Sequence, residues 1–550
     1  LAQVQVTYNI SGQAYLGDET DHSSLQFSVI NPQNLDTLAV GYPDSTGYYS
    51  LDVPPGFYLL NWSHNGHIPQ ELGNFAFSSD TVLADINLLS GYVQEVCGEV
   101  AGVWTSGSVY DVLCDIEVPE GDSLIIESGV RVRFMEGASM TCYGVLDVLG
   151  DSTNRVLFTS REASPLPGDW GNVSLYAQGN TISHLDYEFA TDGFTGDNVS
   201  NTTIDNVVMV GNLSLSANGI YLTNSSDLNL TNNTITVGGE YGIHSYDSEN
   251  SVVNNNIITG QYNTTIEMRD CDNCDFEGNT LSGNTVLQLE NSDNLDIHNN
   301  QILDHNYGFQ LNYCDSAHVS YNEITKPEAS MFGETSQLIS NSNSSFSWIE
   351  YNQFSMDGYL SDWGWMIESH QSIIENNLLT FTSSISSYGN RFIINADEST
   401  VKGNTFLLDV YRPYYTKIIK TTGSENNRSV IENNTISASS YYPMSGYDWG
   451  YGEGVISIGG YTDFINNTVT RETDRDYIWE GESYIIGASG EGNSIVGNTI
   501  SDSQNTPAVY LYNANNQVFT NNVIYSERGS SAIKISNSDV LISHNLIESQ

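Results

Sequence analysis

The sequence predicts an all-β protein, a parallel β-helix solenoid preceded by a small β-sandwich. The first observation behind this is a four-residue phrase, Asn-Asn-Thr-Ile at Asn232–Ile235, that keeps returning. Its second residue is always asparagine: Asn233, Asn256, Asn279, Asn300, Asn322, Asn352, Asn377, Asn404, Asn434, Asn467, Asn498, Asn522 and Asn545. Successive intervals run from 21 to 33 residues, and a short repeat that tolerates insertions marks a solenoid. The second observation is a strand-like phrase upstream of each asparagine, such as Gly242-Ile243-His244-Ser245 or Val286-Leu287-Gln288-Leu289. Most copies alternate with the period of two that half-buried strands show. The third is that residues before about position 90 lack the repeat and read as short strands separated by turn residues.

The asparagine has a physical rationale. It tolerates the left-handed backbone conformation and bonds neighbouring backbone, and stacked copies can bond one another, as in cross-β ladders. Two residues after each asparagine stands Ile, Leu, Val or Phe, so the phrase reads as a turn feeding a strand with one inward side chain. The thirteen asparagines therefore form an expected structural ladder, with two strands in each coil. From about Gly98 to Gln550 the chain resembles the right-handed parallel β-helix superfamily, which includes pectate-lyase-like folds and many bacterial surface proteins. That resemblance implies the right-handed winding; it leaves function open, because one fold hosts many activities.

Taken in order, residues 1–92 are expected to form the sandwich. Gln3–Ile10, Leu25–Val29, Tyr48–Val53 and Phe57–Trp62 read as strands, broken at Gly12, Asp44–Gly47 and Pro54-Pro55-Gly56. The pattern of Gly12, Thr46-Gly47-Tyr48-Tyr49 and Pro54-Pro55-Gly56-Phe57-Tyr58 resembles the carboxypeptidase-regulatory-like sandwich and implies an accessory module without peptidase activity. Residues 93–190 are expected to be the opening and cap coils, with strands in Val112–Val118, Leu124–Phe134 and Val145–Phe158. Pro167-Gly168-Asp169-Trp170-Gly171 resembles a phrase common where bacterial surface β-helices begin. A solenoid end needs such a cap, because open strand edges template aggregation. Residues 191–550 carry the repeats, with long loops between 323 and 498.

Composition narrows the function classes. Sixteen Lys+Arg stand against 67 Asp+Glu, a formal net charge of −51. Nucleic acid is excluded as a partner, since phosphate contacts need basic patches, and binding to anionic membrane surfaces is disfavoured. No apolar run reaches the length of a membrane span. Leu1-Ala2-Gln3, running straight into alternation, is expected to be a mature start after leader removal, which places the protein outside the cell or on its surface. The last coil stops shortly after Asn545, so either more chain or a docked partner is expected there. Of the six cysteines, Cys271 and Cys274 form a C-x-x-C pair for which three readings stay open: a disulfide within the pair or from it to Cys314, free thiols, or a metal site.

The inserted stretches are rich in aromatic residues, and exposed aromatic clusters mark contact surfaces. The candidate glycan-binding residues are Trp363, Trp365, Tyr411, Arg412, Tyr414, Tyr415, Lys417, Lys420, Tyr447, Trp449 and Trp479. Flat rings suit sugar faces, and Arg412, Lys417 and Lys420 form the best basic cluster, preceded by Asp409. A second set, Asp474 and Asp476 with Arg471, Arg475, Glu480 and Glu482, has the composition of an acid–base site. No catalytic residue is assigned, because no lyase or hydrolase phrase is present. On the strand preceding the asparagine, His244, Glu267, Gln288 and Gln310 are expected to share one outward row. Tyr246, Arg269, Glu290 and Asn312 are expected to share the next, where Arg269 could pair with Glu290. No cofactor is required; calcium held by turn carboxylates is left open. Three functions compete. The first is a secreted structural or adhesive surface protein whose partner is a polysaccharide or copies of itself. The second is a polysaccharide lyase or glycoside hydrolase with its cleft at 323–498, and the third is a carbohydrate-binding module of a larger enzyme.

Overall fold

The computed structural model describes residues 6–17, 19–88, 91–210, 218–260, 264–329, 337–358, 365–387, 391–413, 416–441, 454–474, 484–504, 506–527 and 531–549. The chain forms two compact units, Leu1–Leu222 with Asn233–Gly238, and Thr223–Asn232 with Gly239–Gln550. All regular structure among the described residues is β.

The first unit begins with two small sheets. In one, Tyr8–Leu16 pairs antiparallel with Tyr48–Val53 and parallel with Thr81–Val82 and Ile86–Leu88. In the other, Gln26–Ile30 lies between Thr37–Gly41 and Gly56–Ser63, which pairs with Gln70–Phe77. Alternate residues of both sheets meet in one core, where Phe27 stacks on Trp62 with ring centroids 4.9 Å apart and Tyr49 tilts against Phe27 at 4.7 Å. Gly12, expected as a break, lies inside the first strand instead. A Cβ there would meet the Tyr49 hydroxyl at 2.6 Å, so the missing side chain makes room for a buried ring.

Parallel coils follow from Val93. The expected strand Leu124–Phe134 divides at Gly129, whose φ of +75° turns the chain, into Ser123–Glu127 and Arg131–Phe134. The expected strand Val145–Phe158 likewise divides into Val145–Leu149 and Val156–Ser160, around an Asp151 carboxylate that accepts the Thr153 and Asn154 N–H groups, both at 2.8 Å. Trp170 is fully buried and stacks on Phe134 at 4.1 Å, and its Nε1–H donates to the Glu188 carbonyl at 2.7 Å. Asp111, 2% exposed, accepts a bidentate pair from Arg133 and a third bond from Arg161. A disulfide joins Cys97 to Cys114.

The second unit repeats a coil of three strands rather than the expected two. In one coil these are Thr264–Arg269, Asp275–Glu277 and the start of Thr280–Glu290. The middle strand has three residues and one inward side chain, Phe276, so it shows no alternation that a sequence window could detect. Every strand pairs parallel with its counterpart in the next coil, and three inward apolar columns fill the interior. One such column runs Val253, Phe276, Ile297, Val319, Ile349, each at most 1% exposed. Burying such side chains contributes roughly 1.5–3 kcal/mol apiece.

The ladder asparagines lie inside. From Asn256 to Asn522 they are at most 2% exposed, and each Oδ1 from Asn279 to Asn545 accepts both the backbone N–H and the Nδ2–H of the asparagine one coil earlier. Each Nδ2 also donates to a carbonyl of the preceding coil, as Asn279 does to Val253 at 2.7 Å. The left-handed residue is not the ladder asparagine but the one before it: Asn255, Gly278, Asn299, Tyr321, Tyr351, Asn376 and Gly403 all have φ between +54° and +66°. For a tyrosine this conformation costs roughly 1–2 kcal/mol, and the bonded ladder beside it holds it in place. A second column at the opposite turn was not anticipated. There Ser292 Oγ accepts Cys271 N–H at 2.9 Å, Ser344 Oγ accepts Cys314 N–H at 2.7 Å, and Ser399 Oγ accepts Ser372 N–H at 3.1 Å. A disulfide joins Cys271 to Cys274 across this turn, while Cys314 and Cys142 are buried free thiols.

Candidate functional site

The strand after the ladder asparagine lengthens in the coils with insertions: Gln353–Gly358, Leu378–Ser387, Thr405–Pro413, Thr435–Ser440 and Thr468–Thr473. Along the chain, residues 330–336, 359–364, 388–390, 414–415, 442–453 and 475–483 fall between that strand and the next one of the coil. The ends of these strands line an open cleft of about 570 Å³.

Two outward rows line it. The first, in strict register, is Asp357, Thr382, Asp409, Ser439, Glu472. Carboxylates alternate with hydroxyls: Thr382 Oγ1 donates to Asp357 and Ser439 Oγ to Asp409, both at 2.9 Å. Adjacent coils lie about 4.8 Å apart, so the alternation keeps like charges roughly 10 Å from one another. Two residues further along the strands stand Tyr411, Tyr441 and Asp474. The two tyrosine rings stack with centroids 5.2 Å apart and planes 8° from parallel, and Tyr411 is 43% exposed. The cleft thus offers hydrogen-bond acceptors and hydroxyls along one side and an aromatic edge along the other.

Of the residues singled out from the sequence, Tyr411, Asp409 and Asp474 line this cleft; Asp357 and Glu472 were not among them. A usable signal existed. Each member of the first row stands five residues after its ladder asparagine, and each member of the second stands seven after. The other candidates scatter. Lys417 is 2% exposed. Lys420 lies on the following strand, in register with Asn395, and does not line the cleft. Trp365 is half-buried, in register with Phe392, and its Nε1–H has no hydrogen-bond partner among the described residues. The backbone of Arg412 pairs beside Ser386. Trp363, Tyr414, Tyr415, Tyr447, Trp449 and Trp479 lie outside the described residues, as do Arg475, Asp476, Glu480 and Glu482. Arg471 faces the interior and pairs with Asp502.

A smaller groove of about 280 Å³ is lined by Glu368, His370, Asn395 and Asp397 among others. Burial pushes the Asp397 carboxyl above its ordinary range, although Thr422 N–H donates to it at 2.8 Å. The adjacent Glu398 is held down to about 2 by hydrogen bonds, chiefly from Gln371 at 2.7 Å and also from Asn427. A depressed carboxylate contributes stability above its unfolded value, and that contribution is lost as pH falls toward the folded one. The stability gap between wild type and Glu398→Gln is therefore expected to be full above about pH 5 and to shrink as pH falls through 2. Solvent screening keeps it below about 1 kcal/mol, and urea titrations at both pH values measure it.

Elsewhere, His244 and Glu267 share one row with Gln288 and Gln310, and Tyr246, Arg269, Glu290 and Asn312 share the next. Arg269 pairs with Glu290 at 3.2 Å and with Glu267 at 2.6 Å. Both His244 and Glu267 are buried, and burial lowers the His244 imidazole below its ordinary range, opposed by the Glu267 charge. No helix among the described residues is long and apolar enough to cross a membrane. Among the same residues no group of three or more His, Cys, Asp or Glu is placed to hold a metal ion.

Comparison with known proteins gives the following. No curated protein matches the chain. A chain of a type II cohesin–X–dockerin complex from Acetivibrio cellulolyticus aligns at 19% identity over 15% of this chain, with a TM-score of 0.13, and this chain spans 58% of its length. A variant of DFA-IIIase from Arthrobacter chlorophenolicus A6, solved with DFA-III, aligns at 13% identity over 60% of this chain and 85% of its own, with a TM-score of 0.29. A tailspike protein variant of E. coli bacteriophage HK620, solved with a pentasaccharide, aligns at 12% identity over 78% of this chain and 74% of its own, with a TM-score of 0.30. Residues 192–354 match the family described as the right handed beta helix region, in agreement with the parallel coils seen there.

Proposed function

We propose that this is a secreted surface protein, structural or adhesive in role, that holds a neutral glycan in the cleft of coils 352–474. The observation that carries the reading is the stacked pair Tyr411–Tyr441 beside the alternating carboxylate–hydroxyl row. Aromatic rings offer apolar surface to sugar C–H groups, and Asp, Thr and Ser side chains exchange hydrogen bonds with sugar hydroxyls. The carboxylates, in a chain of net charge −51, disfavour polyanions such as uronates. Two disulfides, Cys97–Cys114 and Cys271–Cys274, support an oxidising compartment outside the cytosol. A glycan array with the purified protein tests the reading. Neutral oligosaccharides are expected to bind in preference to uronates, Tyr411→Ala to weaken binding about tenfold, or ~1.4 kcal/mol, and Tyr411→Phe to retain it. Equal binding by Tyr411→Ala and wild type would overturn it.

One observation favours a second reading, glycoside hydrolysis. Asp409 and Glu472 face the same cleft two coils apart, roughly 10 Å, near the 6.5–9.5 Å separation at which two carboxyl groups can flank a water and a glycosidic bond. Release of reducing sugar that stops in Glu472→Gln while glycan binding persists would establish it.

A further inference from the structure

In the sandwich, the turn between Gly56–Ser63 and Gln70–Phe77 reads His64-Asn65-Gly66-His67. It folds back so that His64 Nδ1 lies 3.1 Å from His67 Nδ1, with ring centroids 5.0 Å apart and planes at 67°. Gly66 makes the reversal with a φ of +81°, and His67 N–H donates to the His64 carbonyl at 3.1 Å. His67 is 8% exposed, and its Nε2 has no hydrogen-bond partner among the described residues. A carboxylate oxygen of Glu19 stands 3.7 Å from that Nε2.

We propose that this turn is a transition-metal site that takes a divalent first-row ion, copper(II) in preference, through the two Nδ1 atoms. Two nitrogens 3.1 Å apart subtend about 98° at an ion ~2.05 Å from each, between the right angle of tetragonal or octahedral coordination and the tetrahedral value. Coordination through Nδ1 places the remaining proton of each ring on Nε2. For His67 that proton then faces Glu19, the carboxylate–imidazole–metal relay that orients metal-bound histidines. Imidazole donors suit copper, nickel and zinc, and copper(II) binds most tightly in that series. Two protein nitrogens leave the other coordination positions to water, so the ion is exchangeable. The Gly66 carbonyl accepts Gly91 N–H at 3.0 Å, so an ion in the turn also stiffens the connection into the first coil.

Titration of the full chain with copper(II) chloride, read by electron paramagnetic resonance and by thermal unfolding, tests this. One equivalent with a two-imidazole signature is expected, together with a rise in Tm. His64→Ala, at a half-buried position, is expected to lose at least tenfold in affinity and the two-nitrogen signal. Glu19→Gln is expected to lose about tenfold while keeping the signal. The double variant His298→Ala/His318→Ala removes the two part-exposed histidines that lie beside carboxylates and is expected to bind as wild type does. Unchanged binding by His64→Ala, or loss in the His298/His318 variant alone, would overturn the assignment and leave the 3.1 Å contact as an N–H···N hydrogen bond.

Discussion

Replacing Asn404 by alanine is expected to lower stability by about 3–6 kcal/mol. The reason is the number of groups that one side chain satisfies. Its Oδ1 accepts the Asn377 backbone N–H at 2.9 Å and the Asn377 Nδ2–H at 3.0 Å. Its Nδ2 donates to the carbonyls of Ile374 at 2.8 Å and Lys402 at 3.1 Å and to Asn434 Oδ1 at 3.0 Å. Asn404 is 1% exposed, so water cannot replace these partners, and each stranded group costs about 1–3 kcal/mol. Asn545 occupies the same position in the last described coil and makes four bonds of the same kind, but it is only part-buried, so Asn545→Ala is expected to cost less than Asn404→Ala. Urea unfolding followed by circular dichroism measures both; equal losses would show that burial does not set the cost. Asn404→Asp adds a pH signature. A buried carboxyl favours its neutral form and can then still donate one bond, so the variant is most stable at low pH. It loses stability as pH rises through the elevated folded value, opposite to the trend at Glu398.

The same residues show what a sequence can and cannot disclose here. The asparagine column and the Ile or Leu two places after it were legible because one chemical type recurs in constant register, so the solenoid followed from spacing alone. The strand Asp275–Glu277 was not legible, since three residues with one inward side chain carry no period. Nor was the role of Gly12, which depends on Tyr49 arriving from another strand. The left-handed position was misplaced by one residue because both members of Asn-Asn suit it; the copies Gly278, Tyr351 and Gly403 resolve the ambiguity in favour of the first. For the cleft, composition drew attention to the aromatic insertions. The carboxylate row Asp357, Asp409, Glu472 is 52 and then 63 residues apart along the chain, and only alignment of the coils on the ladder brings it together.

Arg471 and Asp502 extend that argument to energetics. Four residues after the ladder asparagines from Asn352 to Asn498 the side chain is buried, and through Met356, Phe381, Leu408 and Ala438 this column is apolar. The next two members are Arg471, 2% exposed, and Asp502, fully buried, joined by Nε–Oδ1 and Nη2–Oδ2 bonds of 3.0 and 2.7 Å. Arg471→Met is expected to cost about 3–5 kcal/mol, because it leaves the Asp502 carboxylate in the interior without its cation. The double variant Arg471→Met/Asp502→Leu continues the apolar column and is expected to recover that loss and to gain up to about 4 kcal/mol. A buried pair that can be replaced so cheaply calls for a reason other than stability. Glu472, next to Arg471 on the strand, and Asp474, just past the strand's end, are the cleft's last two carboxylates. The bidentate pair fixes the strand that presents them in a way that flexible methionine would not. Stability and glycan affinity should therefore separate in the double variant: unfolding shifts to higher urea while binding to the cleft weakens. A double variant that is stabilised and binds glycan as wild type does would reduce the pair to a tolerated relic of the column.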